Sequence, residues 1–484
     1  MSFAELLTQE QVQRVHEASL EILEEVGLFV RYEPARKVFA QHGCTVDTEK
    51  NNVKFPRAVV ESYRQMMPPK FTFYARDPKF DKTIPDDSPV VVTGSSAPDL
   101  LDPVTGEERR ATSADIARIA HLINELPGYD MFSVSVLADD APLDQFTLWR
   151  LYPAMKYCVK PIRITSKDLP DAKQILELVY LVAGSEEAYH KHPFLTHHYC
   201  PVVSPLTMDH LSTEAVMFFV ERGLPVYPTI VPNAGLTSPM SMAGTLVQGN
   251  AEFLAAAVLM QMVKEGAPLI YATLPTVADM RTGAYASGGI ECGILHMAHA
   301  QMAHFYHVPC GGYVGLTNSK INDAQSGYET GMSTTAGVLA GMDMLNMGGL
   351  VEALKVFDFA KAVIDDEIAI MLKRIKRGLE FSEEKLALDV IKKIGPGGSF
   401  IKEPQTFKLM KTEAILTKLS DRDTRLQWQK KGAPDTHARA MARVRDILSK
   451  QSSAVFSEDV DARIRSRFIN LVEGNLEVPE GLAA

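Results

Sequence analysis

The chain has 484 residues, 46% of them hydrophobic, and a formal net charge of −10 at pH 7. A chain of this length can bury a large core. An acidic chain without a basic block is a poor candidate for nucleic-acid binding. No apolar run reaches membrane-spanning length, and the acidic, amphipathic N-terminus is not typical of a signal peptide. The five cysteines are far apart and form no CxxC pair, which predicts a reduced, cytoplasmic protein without disulfides or a cysteine zinc site.

Residues 1–85 are predicted to form a helical N-terminal extension, because residues 6–30 repeat apolar positions at helical spacing and Pro56 suits the first turn of a second helix. The regular pattern begins in the next unit, residues 86–380. Residues 381–484 are helical and charged, and we expect them to pack on the central unit as helices at 383–393, 413–428, 436–450 and 454–468.

In residues 86–380, apolar runs alternate with helical segments. The predicted strands lie at residues 89–96, 131–140, 161–166, 194–206, 224–235, 267–275, 309–315 and 342–347. The helices between and after them lie at 113–124, 145–157, 170–183, 212–222, 239–265, 289–306, 328–339 and 360–379. Eight successive strand–helix units predict an α/β fold, a TIM (β/α)8 barrel, with a doubly wound open sheet as the alternative.

Active sites of such barrels lie at the carboxyl ends of the strands. The loop after the seventh strand carries Asn318, followed by Lys320, Asp323 and Gln325. The loop after the sixth strand carries Asp279 and Arg281, which could equally form a salt bridge that closes the barrel top.

Two polar residues interrupt the apolar eighth strand, Asp343 and Asn346. Buried polar side chains need partners, so these two pair with other groups or face a ligand. The aromatic residues Tyr227, Tyr313 and Phe357 could reach the same mouth. An acidic group in an aromatic cup suits a quaternary ammonium, although barrel aromatics more often only pack.

Histidines offer a further set of candidates. His197 and His198 are adjacent on the fourth strand and must point to opposite sides, so one of them can face the barrel interior. Another four, His296, His299, His304 and His307, share one face of a predicted helix. We interpret that face as exposed or in contact with another subunit rather than as a metal site.

The sequence resembles the trimethylamine methyltransferase family, specifically its members without pyrrolysine that act on quaternary amines such as glycine betaine. The resemblance covers nearly the whole chain. It rests on an ordered set of motifs, among them GAPLIYAT (266–273), DMRTGA (279–284), GLTNSKINDAQSGYE (315–329) and GSFIKEPQT (398–406).

The resemblance implies a barrel that moves a methyl group from a quaternary amine to the Co(I) of a separate corrinoid protein, with no cofactor or metal held tightly by the chain itself. Pyrrolysine, the reactive residue of the founding members, is absent, which favours an already quaternary substrate. On this basis Asp343 and Asn346 are the candidate catalytic residues. The candidate substrate-binding residues are His197, Tyr227, Asp279, Arg281, Tyr313, Asn318 and Phe357.

The eighth strand departs from the family pattern. Relatives often show an AGANLIH-like sequence where this chain has AGMDMLN, so Asp343 replaces an asparagine and Asn346 a histidine. Asp343 would repel a substrate carboxylate. A carboxylate-bearing substrate would then need a compensating cation, for which Arg281 is the nearest candidate.

Two other functions remain open. A zinc-dependent or uroporphyrinogen decarboxylase-like barrel enzyme would need clustered ligands. Cys310 and His197 are possible ligands, but a third partner is not evident. A non-catalytic betaine-binding barrel would bind the quaternary amine without transferring a methyl group.

The predicted helix at residues 239–265 carries many Ala and Met residues, which suggests helix contacts between subunits. We therefore expect a homo-oligomer. Light scattering at micromolar concentration should give a mass of at least twice 53.4 kDa, and a monomer would contradict the expectation.

Overall fold

The structure is a computed structural model that describes residues 3–452 and 454–482. Its centre is an eight-stranded, all-parallel sheet in which consecutive strands are neighbours. The strands are β1 (Val90–Val92), β2 (Phe132–Ser133), β3 (Ile162–Ile164), β4 (Leu195–Tyr199), β5 (Val226–Ile230), β6 (Tyr271–Thr273), β7 (Cys310–Tyr313) and β8 (Met344–Asn346). A parallel bridge between Val92 and Met131 joins the first strand to the second and closes the barrel.

Each strand is followed by a helix on the outside of the barrel. These are α1 (Ser113–Glu125), α2 (Phe146–Tyr157), α3 (Leu169–Ala183), α4 (His210–Glu221), α5 (Met242–Val263), α6 (Ile290–Tyr306), α7 (Ala324–Leu339) and α8 (Phe359–Arg377). The predicted TIM barrel is therefore confirmed. Helix α7 begins four residues before its predicted start, because the Asp323 side chain caps it by accepting from Ser326 N at 3.1 Å.

A hairpin of Phe71–Phe73 and Lys82–Ile84 closes the amino-terminal end of the barrel. Its side chains Phe71, Phe73 and Ile84 form one buried cluster with barrel residues, including Val90, Met344 and Tyr227. Since apolar side chains fill this end, a ligand reaches the interior from the opposite end, where the strands terminate.

Short sheets built from loops surround the carboxyl end of the barrel. One joins Leu350–Val351 and Val356–Phe357 to Asp99–Leu101 and Glu108–Arg110, so it links the segments that follow β8 and β1. Another contains Asn233–Ala234, Thr276–Asp279 and Ala284–Ala286, from the segments after β5 and β6. These sheets stiffen the loops that carry the candidate site.

The N-terminal extension is mixed rather than purely helical. It contains the helices Gln9–Glu21, Glu33–Gln41 and Arg57–Arg64, a π-helix at Ile22–Val26, and the strands Leu28–Val30, Thr45–Asp47 and Asn52–Lys54. Strand Leu28–Val30 pairs with Thr207–Met208 from the loop after β4, which fixes the extension to the barrel.

Helix α5 is long and apolar enough to span a membrane, but 89% of its apolar window is buried inside the protein. Its Asn250 side chain donates to Ser19 Oγ in the first N-terminal helix at 2.9 Å. The buried part of the helix is thus covered by the chain's own extension, whereas its first turns, with Met242 and Leu246, line an open apolar groove. The homo-oligomer stays a prediction.

The expectation of an exposed histidine face on α6 is wrong for two of its four residues. His296 and His299 are buried, with His296 Nε2 2.9 Å from Tyr313 O and His299 Nδ1 2.8 Å from Leu295 O. Burial lowers the pKa of His296 to about 3 and that of His299 to about 4. Both histidines are therefore uncharged at neutral pH and belong to the protein core.

The C-terminal segment contains the helices Glu383–Leu386, Leu388–Ile394, Pro404–Leu409, Arg425–Lys430, Thr436–Leu448 and Glu458–Arg467. The predicted helix at 413–428 is helical only near its end. The carboxylate of Glu367 in α8 accepts from the backbone N–H groups of Lys418, Leu419 and Ser420, which holds that stretch out of a helix. The unit boundaries after residues 85 and 380 remain a prediction.

The burial of His197 predicts that the stability of the fold depends on pH. It lies outside the barrel sheet, stacked on Phe219 of α4 at 3.6 Å between ring centroids, and burial lowers its pKa to about 3. Since the unfolded chain binds a proton near pH 6.5 and the folded chain does not, stability falls as the pH drops below that value.

We expect His197→Phe to remove this term. As the pH is lowered from 6 to 4, the free energy of unfolding should decrease less steeply for the variant than for the wild type. The two slopes should differ by up to about 1.4 kcal/mol per pH unit. Urea unfolding at pH 6, 5 and 4 measures both slopes. Parallel lines for the two proteins would show that His197 does not titrate on unfolding.

Candidate active site

The barrel interior is organised by one guanidinium, that of Arg163 in β3. The side chain is 1% exposed and donates to groups from several other segments. Its acceptors are Ser133 Oγ (2.9 Å), Tyr227 OH (2.8 Å), Asn346 Oδ1 (2.9 Å), Tyr313 OH (3.0 Å) and Ser95 Oγ (3.4 Å). One side chain thus ties together β2, β3, β5, β7, β8 and the segment after β1.

All of these acceptors are neutral, and no carboxylate of a described residue pairs with Arg163. A buried charge without an ionic partner costs several kcal/mol unless hydrogen bonds or a ligand compensate. Proteins keep such charges mainly where they are used, so the arrangement marks a functional site.

Aromatic rings surround the guanidinium. The carbon Cζ of Arg163 lies 5.2 Å from the centroid of the Tyr313 ring. The His198 ring lies 5.2 Å from that of Tyr227 and 6.0 Å from that of Tyr313. His198 Nε2 is 2.8 Å from Thr229 Oγ1, so the imidazole is held against β5.

Protonation of this cluster is fixed by burial. Burial, with the nearby charge of Arg163, lowers the pKa of His198 well below its usual value. Burial raises the pKa of Tyr227 to about 12 and that of Cys200 to about 11, with Arg163 opposing in both cases. At neutral pH, these three groups are uncharged and cannot act as efficient proton donors or acceptors.

A narrow cleft opens beside Arg163. It is polar and carries no acidic side chain. It is lined by Ser95, Ser96, Ser133, Val134, Arg150, Arg163, Ile164, Thr165 and His198. Ser96 and Thr165 are exposed at its edge, so the cleft is connected to solvent.

Three of the predicted site residues meet in this cluster: Tyr227, Tyr313 and Asn346. The Asn346 side chain is fully buried, and its Nδ2 has no hydrogen-bond partner among the described residues. His197 is not part of the cluster. It is the neighbouring His198 that faces the interior, and His197 contacts α4, which corrects the expectation that His197 binds substrate.

Asp343 is also absent from the cluster, which corrects its expected role at the mouth. It precedes β8, and its Oδ2 accepts from Cys310 N at 2.9 Å at the start of β7. Burial raises the pKa of Asp343, with the Cys310 N–H and Lys376 opposing. Because Asp343 and Asn346 are three residues apart, a regular strand directs them to opposite faces.

The remaining predicted residues form structural contacts. Asp279 and Arg281 make a salt bridge of 2.6 Å on the loop after β6, with the Arg281 side chain 88% exposed. The hydrogen bond from Arg281 lowers the pKa of Asp279 to about 2. Neither residue contacts the Arg163 cluster, so Arg281 is not the compensating cation proposed from the sequence.

Asn318 and Phe357 stabilise loops at the carboxyl end of the barrel. Asn318 Nδ2 donates to Tyr285 O at 2.8 Å, and its Oδ1 accepts from Gly288 N at 2.8 Å, which joins the loops after β6 and β7. Phe357 is fully buried and packs edge-on against Phe359 at 5.3 Å. These contacts place both outside the cluster of polar groups around Arg163.

Sequence reasoning missed Arg163, Arg150 and Ser133, and it singled out the wrong member of the histidine pair. A signal for Arg163 was present: it lies between Ile162 and Ile164, at the centre of an apolar strand. A charged residue at such a position must be buried, and a buried charge requires an explanation. Arg150 gave no comparable signal, because basic residues are common on helix surfaces.

A zinc site made from Cys310 and His197 is not supported by the arrangement. Cys310 Sγ lies 3.6 Å from Asp343 Oδ2 on β7, whereas His197 stacks on Phe219 outside β4. Within residues 3–452 and 454–482, no group of three His, Cys, Asp or Glu side chains could bind a metal ion.

Sequence comparisons match almost the whole chain to known proteins. A family model described as trimethylamine methyltransferase (MTTB) matches residues 1–473. The glycine betaine methyltransferase of Desulfitobacterium hafniense is 34% identical over 95% of this chain and 96% of its own length. The trimethylamine methyltransferase MttB of the same species is 30% identical over 95% of this chain and 92% of its own length.

Among solved structures, the monomethylamine methyltransferase of Methanosarcina barkeri covers 92% of this chain and 95% of its own, with 12% identity and a TM-score of 0.49.

Proposed function

Since this chain belongs to the trimethylamine methyltransferase family, we propose that it moves a methyl group from a quaternary amine to the Co(I) of a corrinoid carried by a separate protein. The proposed substrate is glycine betaine or a related betaine. The relatives of this chain are methyltransferases by name, so methyl transfer is the established part, and the substrate and acceptor are the proposal.

One observation carries the choice of a quaternary amine: two ionisable side chains beside Arg163, His198 and Tyr227, are both held in their neutral forms by burial. We call the hydrogen-bonded cluster around Arg163, together with the cleft beside it, the chamber. His198 stays neutral because its pKa is lowered, and Tyr227 stays protonated because its pKa is raised to about 12. A quaternary ammonium leaves as a neutral tertiary amine once its methyl group is gone, so the reaction needs no acid and no base.

The electron count agrees with a methyl transfer that needs neither an acid nor a base. Co(I) provides the electron pair of the new cobalt–carbon bond and is formally oxidised to Co(III), while the carbon–nitrogen pair stays on the departing amine. No proton moves. The protein's task is therefore to hold the amine in line with the acceptor and to exclude water, which is catalysis by positioning.

The acceptor must approach from the carboxyl end of the barrel. The opposite end is filled by Phe71, Phe73 and Ile84. At the carboxyl end, the cleft beside Arg163 reaches solvent past Ser96 and Thr165. This favours a corrinoid protein that docks over the mouth and forms a transient interface.

Anaerobic spectroscopy tests the proposal. The protein is mixed with titanium(III)-reduced cobalamin and, in turn, with glycine betaine, proline betaine, carnitine, γ-butyrobetaine, choline and trimethylamine. We expect methyl–Co(III) cobalamin to accumulate with at least one betaine and not with trimethylamine. Burial beside the charge of Arg163 favours the neutral form of trimethylamine, which would leave as an amide anion unless a group donated a proton.

Reactions without protein serve as the control for chemical methylation. If no betaine is converted with free cobalamin or with any corrinoid protein tested, although calorimetry detects betaine binding, then the protein is a betaine-binding barrel and the proposed reaction is wrong.

The placement of β8 gives a matched pair of variants. Asn346→Leu removes one of the five acceptors of Arg163 and the unpartnered Nδ2. We expect it to weaken betaine binding about tenfold, the effect of one lost hydrogen bond to a charged group. Asp343→Asn keeps its contact with Cys310 outside the chamber and should leave the affinity within about a factor of two. Titration calorimetry measures both, and the reverse order of effects would place Asp343, not Asn346, in the site.

A further inference from the structure

The cleft beside the barrel interior is bordered by two guanidinium groups, those of Arg150 in α2 and Arg163 in β3. Arg150 is 4% exposed. It donates to Val136 O at 3.2 Å, Val134 O at 3.4 Å and Ser96 Oγ at 3.2 Å. Like Arg163, it has only neutral acceptors among the described residues, and its Nη1 makes no hydrogen bond to them.

The acid with the strongest influence on Arg150 is Asp171, and it is engaged elsewhere. Burial lowers the pKa of Arg150 to about 10, and Asp171 opposes this shift from beyond salt-bridge distance. The Asp171 carboxylate accepts from Thr147 Oγ1 at 2.5 Å and Lys167 N at 2.7 Å. Arg150 therefore remains a cation at neutral pH without a direct anionic partner.

Two like charges that share one buried cleft repel each other in a medium of low dielectric constant. Removing one from water is costly even when it is paired. An anion between them would offset both effects, and guanidinium groups are suited to carboxylates. All five N–H groups of Arg163 already have acceptors, so a carboxylate would use the free Nη1 of Arg150 and replace the long contact of Arg163 Nη2 with Ser95 Oγ at 3.4 Å.

The surrounding groups also have donors to spare. Tyr227 OH accepts from Arg163, so its own hydrogen is free to donate, and no acceptor for it lies among the described residues. The buried Nδ2 of Asn346 is likewise unpartnered in the part of the chain that the structure describes. An excess of donors, with no acidic side chain in the cleft, is the complement of an anionic ligand.

We propose that Arg150 and Arg163 form a subsite that binds the carboxylate of the substrate. The inference rests on the proposed function in that the carboxylate belongs to the betaine. It replaces the sequence-based expectation in which Asp343 disfavoured a carboxylate and Arg281 compensated for it, because neither of those residues contacts the chamber.

The subsite also determines which amines are rejected. A betaine presents a carboxylate to the guanidiniums and its methyl groups to the aromatic rings of Tyr227, Tyr313 and His198. Choline presents a cation with no anion, so its charge meets two like charges at low dielectric constant. The subsite thus favours zwitterions, because the guanidinium groups attract their carboxylate. It disfavours cations that have no carboxylate, because the guanidinium groups repel them.

Calorimetric titration of the full chain, without any corrinoid, tests the subsite. The ligands are glycine betaine, dimethylglycine, acetate, choline and inorganic phosphate. We expect glycine betaine to bind the wild type at least tenfold more tightly than choline, acetate to compete with it, and phosphate not to compete. Phosphate competition without acetate competition would overturn the carboxylate assignment.

Arg150 can be varied without removing the central Arg163 network. We expect Arg150→Gln to weaken glycine betaine at least tenfold, Arg150→Lys to recover part of that loss, and choline affinity to stay the same or increase. Arg281→Gln is the matched control, since Arg281 is an exposed arginine on a barrel loop paired with Asp279, and it should bind glycine betaine like the wild type.

Equal wild-type affinities for glycine betaine and choline, or unchanged betaine affinity in a folded Arg150→Gln protein, would overturn the subsite. If that variant does not fold, the choline comparison and acetate competition on the wild type decide. Because no step requires methyl transfer, an inactive protein that binds betaines as described would reject the proposed reaction and keep the subsite.

Discussion

The guanidinium of Arg163 is the constraint on which the rest of the site depends. It joins five of the eight strands and the segment after β1 through neutral acceptors, so it fixes the oxygens of Tyr227 and Tyr313 and the amide of Asn346 at once. A charge in this position is expensive. It can be maintained because neutral oxygens accept from it, with Ser95 Oγ the most distant at 3.4 Å, and because the apolar hairpin at residues 71–84 seals the barrel beneath it.

That constraint also explains the chemistry the chamber can perform. The positive field of Arg163, added to burial, keeps His198 neutral, and burial keeps Tyr227 protonated. The chamber is therefore rich in hydrogen-bond donors but poor in groups that exchange protons. Such a site suits a group transfer in which the leaving amine needs no proton, and it leaves orientation as the main source of rate acceleration.

The sequence predicts the barrel well because each strand is a short apolar run between turn residues, and because helices follow at regular spacing. Of the predicted site residues, Tyr227, Tyr313 and Asn346 lie in the Arg163 cluster, and each is an aromatic or polar side chain on a predicted strand. The sequence does not determine which of His197 and His198 faces inward, because alternation fixes only that they differ. The position of Arg163 between Ile162 and Ile164 indicates a buried charge, but its hydrogen-bond partners come from residues far apart in the chain and cannot be read from the pattern. The helix expected at 413–428 is overridden by the distant carboxylate of Glu367.

A crystal structure of the protein with glycine betaine bound tests the central claim most directly. The account predicts the carboxylate oxygens about 3 Å from nitrogens of both Arg150 and Arg163, with the trimethylammonium group against the rings of Tyr227 and Tyr313 and one methyl group directed to the open mouth. A carboxylate bound at Arg281, or a trimethylammonium group bound against Asp343, would contradict it.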